Sequence, residues 1–247
     1  MQVIVHGATG HMGRCVLKLL DETPGFELAA AVSPELTTDP ARQAYYSLPE
    51  YQGPADLIID FSFHGATHDL MTYALQRQLP VIVCTTGQTE AEKAEIFAAA
   101  RQIPVFFSGN MSLGVAMLMK LAKEAAAAFP GADIEIIETH HHRKLDAPSG
   151  TALMLADAVK SVRPQSTYRL GRSGNCPRTP EEIGIQAVRR GDVVGIHELI
   201  IDTGAETLTL KHEAHDRSLF AQGALRAAEY LAGQPAGLYN MQTMLGG

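Results

Sequence analysis

Residues 3–13 read Val-Ile-Val-His-Gly-Ala-Thr-Gly-His-Met-Gly, and this stretch decides the fold. A β-branched run, Val3 to Val5, leads into a Gly-x-x-Gly-x-x-Gly turn, and helical apolar spacing follows from Met12 to Leu20. The short run is typical of a buried parallel strand. In a strand–turn–helix unit of this kind, the glycines allow the backbone to approach a pyrophosphate, and the helix N-terminus offers amide donors. The turn therefore predicts a dinucleotide-binding site.

Beyond this turn, apolar strands alternate with helices as far as residue 107. We expect strands over residues 28–32, 57–61, 80–84 and 103–107, helices over residues 65–78 and 90–101, and irregular structure over residues 33–53. Such alternation predicts a parallel sheet that is covered by helices on both faces. Small polar residues follow two of the strands, at Cys84-Thr-Thr-Gly87 and Ser108-Gly-Asn-Met111, where cofactor contacts belong in such a sheet.

The pattern changes in the second half of the chain. We expect helices over residues 112–129, 152–162 and 219–231, strands over residues 134–137, 183–188, 194–201 and 207–214, and a long loop over residues 163–182. The predicted fold class is therefore α/β, with an N-terminal Rossmann-like parallel-sheet dinucleotide-binding domain and a following α+β domain with a mixed sheet, which could complete a substrate site.

The composition narrows the class of protein. Hydrophobic residues make up 46% of the chain, which is enough for a sizeable core. The formal net charge of -7 argues against nucleic-acid binding, and no apolar run is long enough to predict a membrane span. The three cysteines are widely spaced, which suits a reducing compartment, and no signal peptide is evident, so we expect a cytoplasmic protein.

The segment from Glu138 to Thr151 concentrates the chemistry. It contains three consecutive histidines, Lys144, and the sequence Asp-Ala-Pro-Ser-Gly-Thr before a helix. Histidine exchanges protons near neutral pH, and lysine can donate a proton or counter an anion. The amides of Gly150 and Thr151 at the helix start can hold a carboxylate. The segment predicts acid–base chemistry on a carboxylated substrate.

A metal site is the alternative that three histidines first suggest. Neighbouring residues of an extended chain point to opposite faces, so His140, His141 and His142 cannot easily bind one ion. Neither a cysteine nor another histidine stands nearby at ligand spacing. We therefore expect no metal.

The pattern His-His-x-x-Lys-x-Asp-Ala-Pro-Ser-Gly-Thr-Ala, at residues 140–152, resembles the signature of the bacterial 4-hydroxy-tetrahydrodipicolinate (dihydrodipicolinate) reductase family. The similarity covers nearly the whole chain, including the Gly-rich turn, Asn110-Met-Ser-Leu-Gly114 and the stretch from Arg189 to His197. It implies NAD(P)H-dependent hydride transfer to C4 of a small cyclic dicarboxylate, with loss of water, in the diaminopimelate route to lysine. It also implies a homotetramer.

The resemblance assigns roles by position. It implies a dinucleotide-binding domain of residues 1–111 and 217–247, and a substrate-binding and oligomerisation domain of residues 112–216. His140 matches a proton donor and acceptor, Lys144 a second proton donor, and His141, Gly150 and Thr151 substrate contacts. The expected cofactor contacts are Gly7, Ala8, Thr9, Gly10, His11, Met12, Cys84, Thr85, Thr86, Ser108, Gly109, Asn110 and Met111, to which we add Ser33 at the ribose position.

The ribose position departs from the family. An acidic residue usually follows the second strand and binds the ribose 2′-hydroxyl of NAD, but Ser33 and Pro34 stand where the family often has Glu and Arg. Glu35 is a possible substitute, and Arg14, His11 or Arg42 could attract a phosphate. The sequence therefore leaves NADH or NADPH open, and favours NADPH or the use of both.

Two other functions fit the same scaffold. One is a reductase of a different carboxylated substrate, which would transfer hydride without turning over the dipicolinate precursor. The other is a non-catalytic nucleotide sensor, which would bind the cofactor without turnover. The acid–base residues of the His-rich segment argue against the sensor.

Overall fold

The computed structural model describes residues 1–246, and these residues form two compact units. The first unit comprises Met1–Met111 and the chain from Ser218 onward, and the second comprises Ser112–Arg217. Arg217, which we expected at the start of the returning segment, thus lies in the second unit. The first unit contains a parallel sheet and the second a mixed sheet, which confirms the predicted fold class. No helix among the described residues has the length and apolar character needed to cross a membrane.

The first unit is built on seven strands, and all of its strand pairs are parallel. The strands are β1 (Gln2–His6), β2 (Glu27–Val32), β3 (Ala44–Tyr45), β4 (Leu57–Asp60), β5 (Val81–Val83), β6 (Pro104–Phe107) and β12 (Gly237–Tyr239). Their order is β12-β6-β5-β4-β1-β2-β3. The chain reverses direction across the sheet between β4 and β1, and ligands of open α/β sheets bind at such a switch point, beyond the carboxyl ends of the strands.

The described residues of this unit form five α-helices: α1 (His11–Glu22), α2 (Thr67–Arg77), α3 (Glu90–Ala99), α6 (Ser218–Leu231) and α7 (Met241–Met244). Helix α3 begins with a capping box, in which Thr89 and Glu92 each bind the other's backbone amide. Helix α6 packs on α1 and on the sheet. A Cβ at Gly223 of α6 would lie 1.7 Å from the carbonyl oxygen of Met111, so only glycine permits this approach.

Residues 33–53 are more ordered than we expected. They contain β3, which pairs with the end of β2, and two short 3-10 helices, Pro40–Arg42 and Leu48–Glu50. Tyr45 and Leu48 are buried in the core beside the sheet. The prediction of irregular structure was wrong here because a two-residue strand has no periodicity of its own.

The second unit is a five-stranded mixed sheet with two helices. The strands are β7 (Asp133–His140), β8 (Thr167–Leu170), β9 (Glu182–Arg189), β10 (Gly195–Asp202) and β11 (Thr207–Ala214), and the helices are α4 (Leu113–Ala128) and α5 (Gly150–Lys160). The order is β11-β10-β7-β9-β8, with β10 antiparallel to both neighbours and the other pairs parallel. Helices α4 and α5 share an apolar core with the sheet.

Two expectations for this unit need correction. Residues 163–182 were predicted as a loop, but they contain β8, which pairs with β9. Strand β7 extends to His140, three residues past its predicted end. This extension places the first histidine on a strand, and that position determines the geometry of the site.

Candidate active site

Strand pairing assembles a polar cluster at one end of the mixed sheet. Glu138 and His140 are two residues apart on β7 and therefore point to the same face. His197 of β10 pairs with Glu138, and Arg189 of β9 pairs with His140. Residues directly opposite each other on neighbouring strands share a face. Three strands thus bring four titratable side chains together.

Glu138 is the centre of this cluster. Its side chain is 0% exposed and accepts two hydrogen bonds of 2.8 Å from the Arg189 guanidinium, one on each carboxylate oxygen. It also accepts bonds from His140 Nδ1 at 2.6 Å and from the Ser149 amide at 3.0 Å. Burial alone would raise the pKa of Glu138, but these hydrogen bonds outweigh burial and lower it from 4.5 to about 2. Glu138 is therefore ionised at neutral pH.

His140 receives its orientation from Glu138. An ionised carboxylate only accepts hydrogen bonds, so Nδ1 of His140 must carry the proton that Glu138 binds. Nε2 is then the nitrogen that can exchange a proton. A Cβ at Gly195 would lie 3.1 Å from Nε2, so a larger residue would crowd this side of the ring.

His197 is the neutral neighbour of His140. Their ring centroids are 5.2 Å apart, edge to face, and Nε2 of His197 lies 3.2 Å from the Ser149 hydroxyl. Burial, followed by the charge of His140, lowers the pKa of His197 from 6.5 to about 3. A ring that is uncharged at neutral pH fills the space beside His140 without competing for Glu138.

Lys144 lies in the turn that follows β7. Its Nζ is 2.8 Å from Oδ1 of Asp146, and its side chain is 21% exposed. Arg189 donates a 2.7 Å bond to the Asp146 carbonyl, which ties this turn to the Glu138 cluster. Burial would raise the pKa of Asp146, but the hydrogen bond and charge of Lys144 lower it. The turn therefore presents a lysine that is held by a carboxylate.

The start of α5 provides an anion-binding position. The Ser149 hydroxyl caps the helix by accepting a 3.2 Å bond from the Ala152 amide. Gly150 is exposed, and a Cβ there would meet no atom within 4 Å. Thr151 follows and is half-buried. The open space over this helix N-terminus suits a carboxylate.

The three consecutive histidines have different partners. His140 binds Glu138, whereas His142 Nδ1 donates to the Gly191 carbonyl at 2.9 Å. His141 Nε2 lies 3.4 Å from the Arg217 guanidinium. Burial, and then the charges of Arg143 and Arg217, lower the pKa of His141. His141 is thus a neutral hydrogen-bonding group in a positive environment.

In the first unit, the Gly-rich turn is closely packed against the neighbouring loop. Gly7 has a φ of +81°, and a Cβ there would lie 2.4 Å from the Phe61 carbonyl oxygen. A Cβ at Gly13 would lie 2.2 Å from the carbonyl oxygen of Gly7. Helix α1 begins at His11, and no side chain caps its N-terminus. The turn therefore has the shape and the uncapped helix start that a pyrophosphate requires.

The Gly-rich turn also contacts the end of β2. The hydroxyl oxygens of Thr9 and Ser33 lie 2.6 Å apart, and Thr9 donates a 2.7 Å hydrogen bond to Oε2 of Glu35. Ser33, which is 2% exposed, donates to the same oxygen.

The ends of β5 and β6 carry the remaining expected cofactor contacts. Thr85 Oγ1 is buried and has no hydrogen-bond partner among the described residues. A bound ligand would supply the missing partner. Cys84 is buried, and burial raises the pKa of its thiol well above 9.0. The Ser108 hydroxyl donates to the Asn110 carbonyl at 2.8 Å and so shapes the second loop.

All expected cofactor residues of the first unit therefore lie at the carboxyl edge of its parallel sheet, either in loops or at the start of α1. They are in the turn after β1 (Gly7, Ala8, Thr9, Gly10), in the first turn of α1 (His11, Met12), after β2 (Ser33), after β5 (Cys84, Thr85, Thr86) and after β6 (Ser108, Gly109, Asn110, Met111). The tight turn, the uncapped α1 and the orphaned Thr85 hydroxyl fit a dinucleotide.

Sequence reasoning missed the roles of Glu138, Arg189, Ser149 and His197. One signal was available, because Glu138 and His140 are two positions apart at the end of an apolar strand. The contributions of the other three residues depend on strand register and on the turn before α5, which no local pattern reveals.

Comparison with known proteins identifies the family. The family model described as dihydrodipicolinate reductase, N-terminus, matches residues 1–111, and the one described as dihydrodipicolinate reductase, C-terminus, matches residues 114–245. The 4-hydroxy-tetrahydrodipicolinate reductase of Caldanaerobacter subterraneus subsp. tengcongensis is 46% identical, over 99% of this chain and 98% of its own length. The protein of that name from Alkaliphilus oremlandii is 37% identical, over 99% and 98%.

Solved structures share the fold. A dipicolinate-bound dihydrodipicolinate reductase from Paenisporosarcina sp. TG-14 has a TM-score of 0.81 at 23% identity and covers 97% of each chain. An aspartate dehydrogenase from Thermotoga maritima has a TM-score of 0.54 at 15% identity, over 95% of this chain and 98% of its own. The family models span both units and the relatives are similar over their full length, so this chain belongs to the dihydrodipicolinate reductase family.

Proposed function

We propose that this protein reduces 4-hydroxy-tetrahydrodipicolinate to tetrahydrodipicolinate with NAD(P)H, in the diaminopimelate route to lysine. Full-length membership of the reductase family, with His140 and Lys144 both present, carries the proposal. In the overall reaction, C4 of the substrate gains a hydride, the hydroxyl leaves as water, and one proton is taken up. The proton-exchanging residues of the second unit supply what this balance requires.

We assign the proton transfers to His140 and Lys144. Glu138 holds the proton on Nδ1 of His140, so Nε2 is left to exchange a proton with the substrate. Lys144 is held by Asp146 at 2.8 Å and brings a second proton-donating group on the turn that follows. His140 and Lys144 thus act from a segment that Arg189 ties together.

We assign substrate binding to His141, Gly150 and Thr151. The exposed backbone at Gly150 and the uncrowded start of α5 favour a carboxylate, and His141 is surrounded by positive charge. A dicarboxylate ring could then be oriented by one carboxylate at α5 while its reacting carbon remains open to proton exchange. The substrate class is a small cyclic dicarboxylate.

We assign cofactor binding to the first unit. The Gly-rich turn and α1 would hold the pyrophosphate, and the loops after β5 and β6 would contact the nicotinamide end. When bound, the reduced nicotinamide supplies the hydride. Either NADH or NADPH provides this chemistry, and the residues at the end of β2 decide between them.

We also propose a cytoplasmic homotetramer. The oligomeric state follows the family resemblance, and residues 112–216 would serve as the oligomerisation domain. The cytoplasmic location is supported by the free cysteines Cys15, Cys84 and Cys176, none of which forms a disulfide.

The decisive experiment follows the loss of reduced-nicotinamide absorbance with freshly generated substrate, and with both NADH and NADPH. Turnover that depends on the dipicolinate precursor is the expected result. Oxidation with only another carboxylated substrate would support the first rival function, and dinucleotide binding without any turnover would support the sensor.

A further inference from the structure

The residues that follow β2 include Glu35, the possible substitute for the usual acidic residue at the ribose position. In dinucleotide-binding sheets, the residue after the second strand contacts the adenosine ribose, and an acidic side chain there binds the 2′-hydroxyl of NAD. The residue at that position is Ser33, whose side chain is almost fully buried. The carboxylate of Glu35, two residues later, folds back onto Ser33.

The Glu35 side chain is fixed beside the Gly-rich turn. Both Thr9 and Ser33 donate their hydroxyl hydrogens to the same oxygen, Oε2. Thr9 lies within the pyrophosphate turn, so this contact joins the carboxylate to the loop that binds the cofactor. The other oxygen, Oε1, takes neither bond and can accept one from a ligand.

The charge at this position is negative and uncompensated. Hydrogen bonds from Ser33 and then Thr9 hold the pKa of Glu35 below its ordinary value of 4.5. No lysine or arginine forms an ion pair with Glu35 within residues 1–246. Arg42, a candidate for binding a phosphate, pairs instead with Asp39 at 3.4 Å.

We infer that Glu35 selects the cofactor, by accepting a hydrogen bond from the ribose 2′-hydroxyl and repelling a 2′-phosphate, so that this protein prefers NADH to NADPH. The inference rests on the proposed function, and it reverses the preference suggested by Ser33 alone. A carboxylate discriminates here through both an attraction and a repulsion. The two hydroxyls from Thr9 and Ser33 keep the carboxylate in position before the cofactor arrives.

Isothermal titration calorimetry of the full chain with NADH, and separately with NADPH, tests this inference without turnover. We expect NADH to bind at least about tenfold more tightly at low ionic strength, and the difference to shrink with added salt. Equal or tighter binding of NADPH to the unaltered protein would overturn the inference. If neither dinucleotide binds, the proposed function itself fails.

The variant Glu35→Gln separates repulsion from packing. Glutamine keeps the shape and an acceptor oxygen for Thr9 and Ser33 but removes the charge, so NADPH affinity should rise about tenfold while NADH affinity changes less than about threefold. Glu27→Gln, at the opposite end of β2 from Glu35 and also exposed, is the matched control and should change neither affinity. An unchanged ratio of the two dissociation constants in Glu35→Gln would refute the role of this carboxylate.

Discussion

The two units form their candidate sites from different parts of the chain. In the first unit, the dinucleotide turn consists mainly of backbone, because Gly7 and Gly13 approach carbonyl oxygens where a Cβ would clash. In the second unit, the site consists of buried side chains, with Glu138 bound to Arg189 and His140. A backbone site is sensitive to added atoms, whereas a charge cluster is sensitive to lost partners. This difference separates cofactor binding from proton chemistry and can be tested with single substitutions.

The largest effect is expected from Lys144→Ala, which should separate the functions of the two units. Loss of a proton donor should lower kcat by about 10²- to 10⁴-fold, while the dissociation constant of the dinucleotide stays nearly constant. Steady-state kinetics together with dinucleotide titration measure both. Lys123→Ala, on an exposed position of α4, is the control and should leave kcat unchanged. Unchanged turnover in Lys144→Ala would remove its assigned role.

Glu138→Gln tests whether buried charge stabilises the second unit. It leaves Arg189 without its bidentate partner, so the free energy of unfolding should fall by about 3 kcal/mol. Urea denaturation gives this value. Glu135→Gln on the same strand removes a more exposed ion pair, with a carboxylate that is 30% exposed, and should cost less than about 1 kcal/mol. Equal losses in both variants would contradict a special role for the buried cluster.

Glu138→Gln should also alter the pH dependence of kcat/KM. A neutral amide no longer binds the His140 proton as an ionised carboxylate does, so the preferred proton position on the ring is weakened. If Glu138 had a purely structural role, Glu138→Gln would lower the free energy of unfolding but leave the pH profile of kcat/KM unchanged.

Gly13→Ala tests the backbone site of the first unit. The new Cβ would lie 2.2 Å from the Gly7 carbonyl oxygen, so the turn must shift away from its binding geometry. The dissociation constant for the dinucleotide should rise about hundredfold, which is close to 2.7 kcal/mol. Gly131→Ala, where a Cβ meets no atom within 4 Å, is the control. Normal binding by Gly13→Ala would show that the turn tolerates side-chain atoms.

Acid should destabilise the second unit through His197. Its folded pKa of about 3 lies below the ordinary 6.5, so between these values only the unfolded chain binds the proton. The contribution of uncharged His197 to the free energy of unfolding is therefore fully present above pH 6.5, and it is lost progressively as the pH drops towards 3. Between pH 7 and pH 5 the loss should be about 2 kcal/mol, before Glu138 begins to titrate.

Urea denaturation of His197→Asn at these two pH values checks this expectation. The variant should lose the part of the pH dependence that His197 contributes, about 2 kcal/mol between these pH values, whereas His68→Asn, at an exposed histidine of the first unit, should keep it. A pH dependence of the same size in His197→Asn would assign it to other groups.

Gly150→Val gives the smallest expected effect. The valine side chain would occupy the open space at the start of α5, where we place a substrate carboxylate. KM should rise about fivefold, with a smaller change in kcat, because one carboxylate contact is crowded rather than lost. Steady-state kinetics measure both constants. A KM equal to that of the unaltered protein would count against the carboxylate position.

Much of the fold was predictable because buried strands and amphipathic helices have local signatures. The strand at Val3 to Val5 and the Gly-rich turn are examples. The strands β3, β8 and β12 were not predicted, since each is short and exists through pairing with a longer neighbour. The energy of strand pairing depends on segments that are distant in the sequence, and the hydrophobic periodicity of one segment carries no information about them.

The candidate site divides in the same way. The residues of the His-rich segment could be identified as a group, because their chemistry is local. The partnership of Arg189 and His197 with Glu138 depends on the registers of β9 and β10 against β7. The carboxylate of Glu35 was considered as a substitute, but its attachment to Thr9 required the fold.

The contact between Gly223 and Met111 has a consequence for biosynthesis on the ribosome. Met111 is the last residue of the first unit before the chain enters the second, and α6 returns to pack against it only after Ser112–Arg217 has been made. Strand β12, at an edge of the first sheet, emerges later still. The unit whose synthesis begins first is therefore completed last, and the nascent chain must keep the first six strands soluble while the second unit folds.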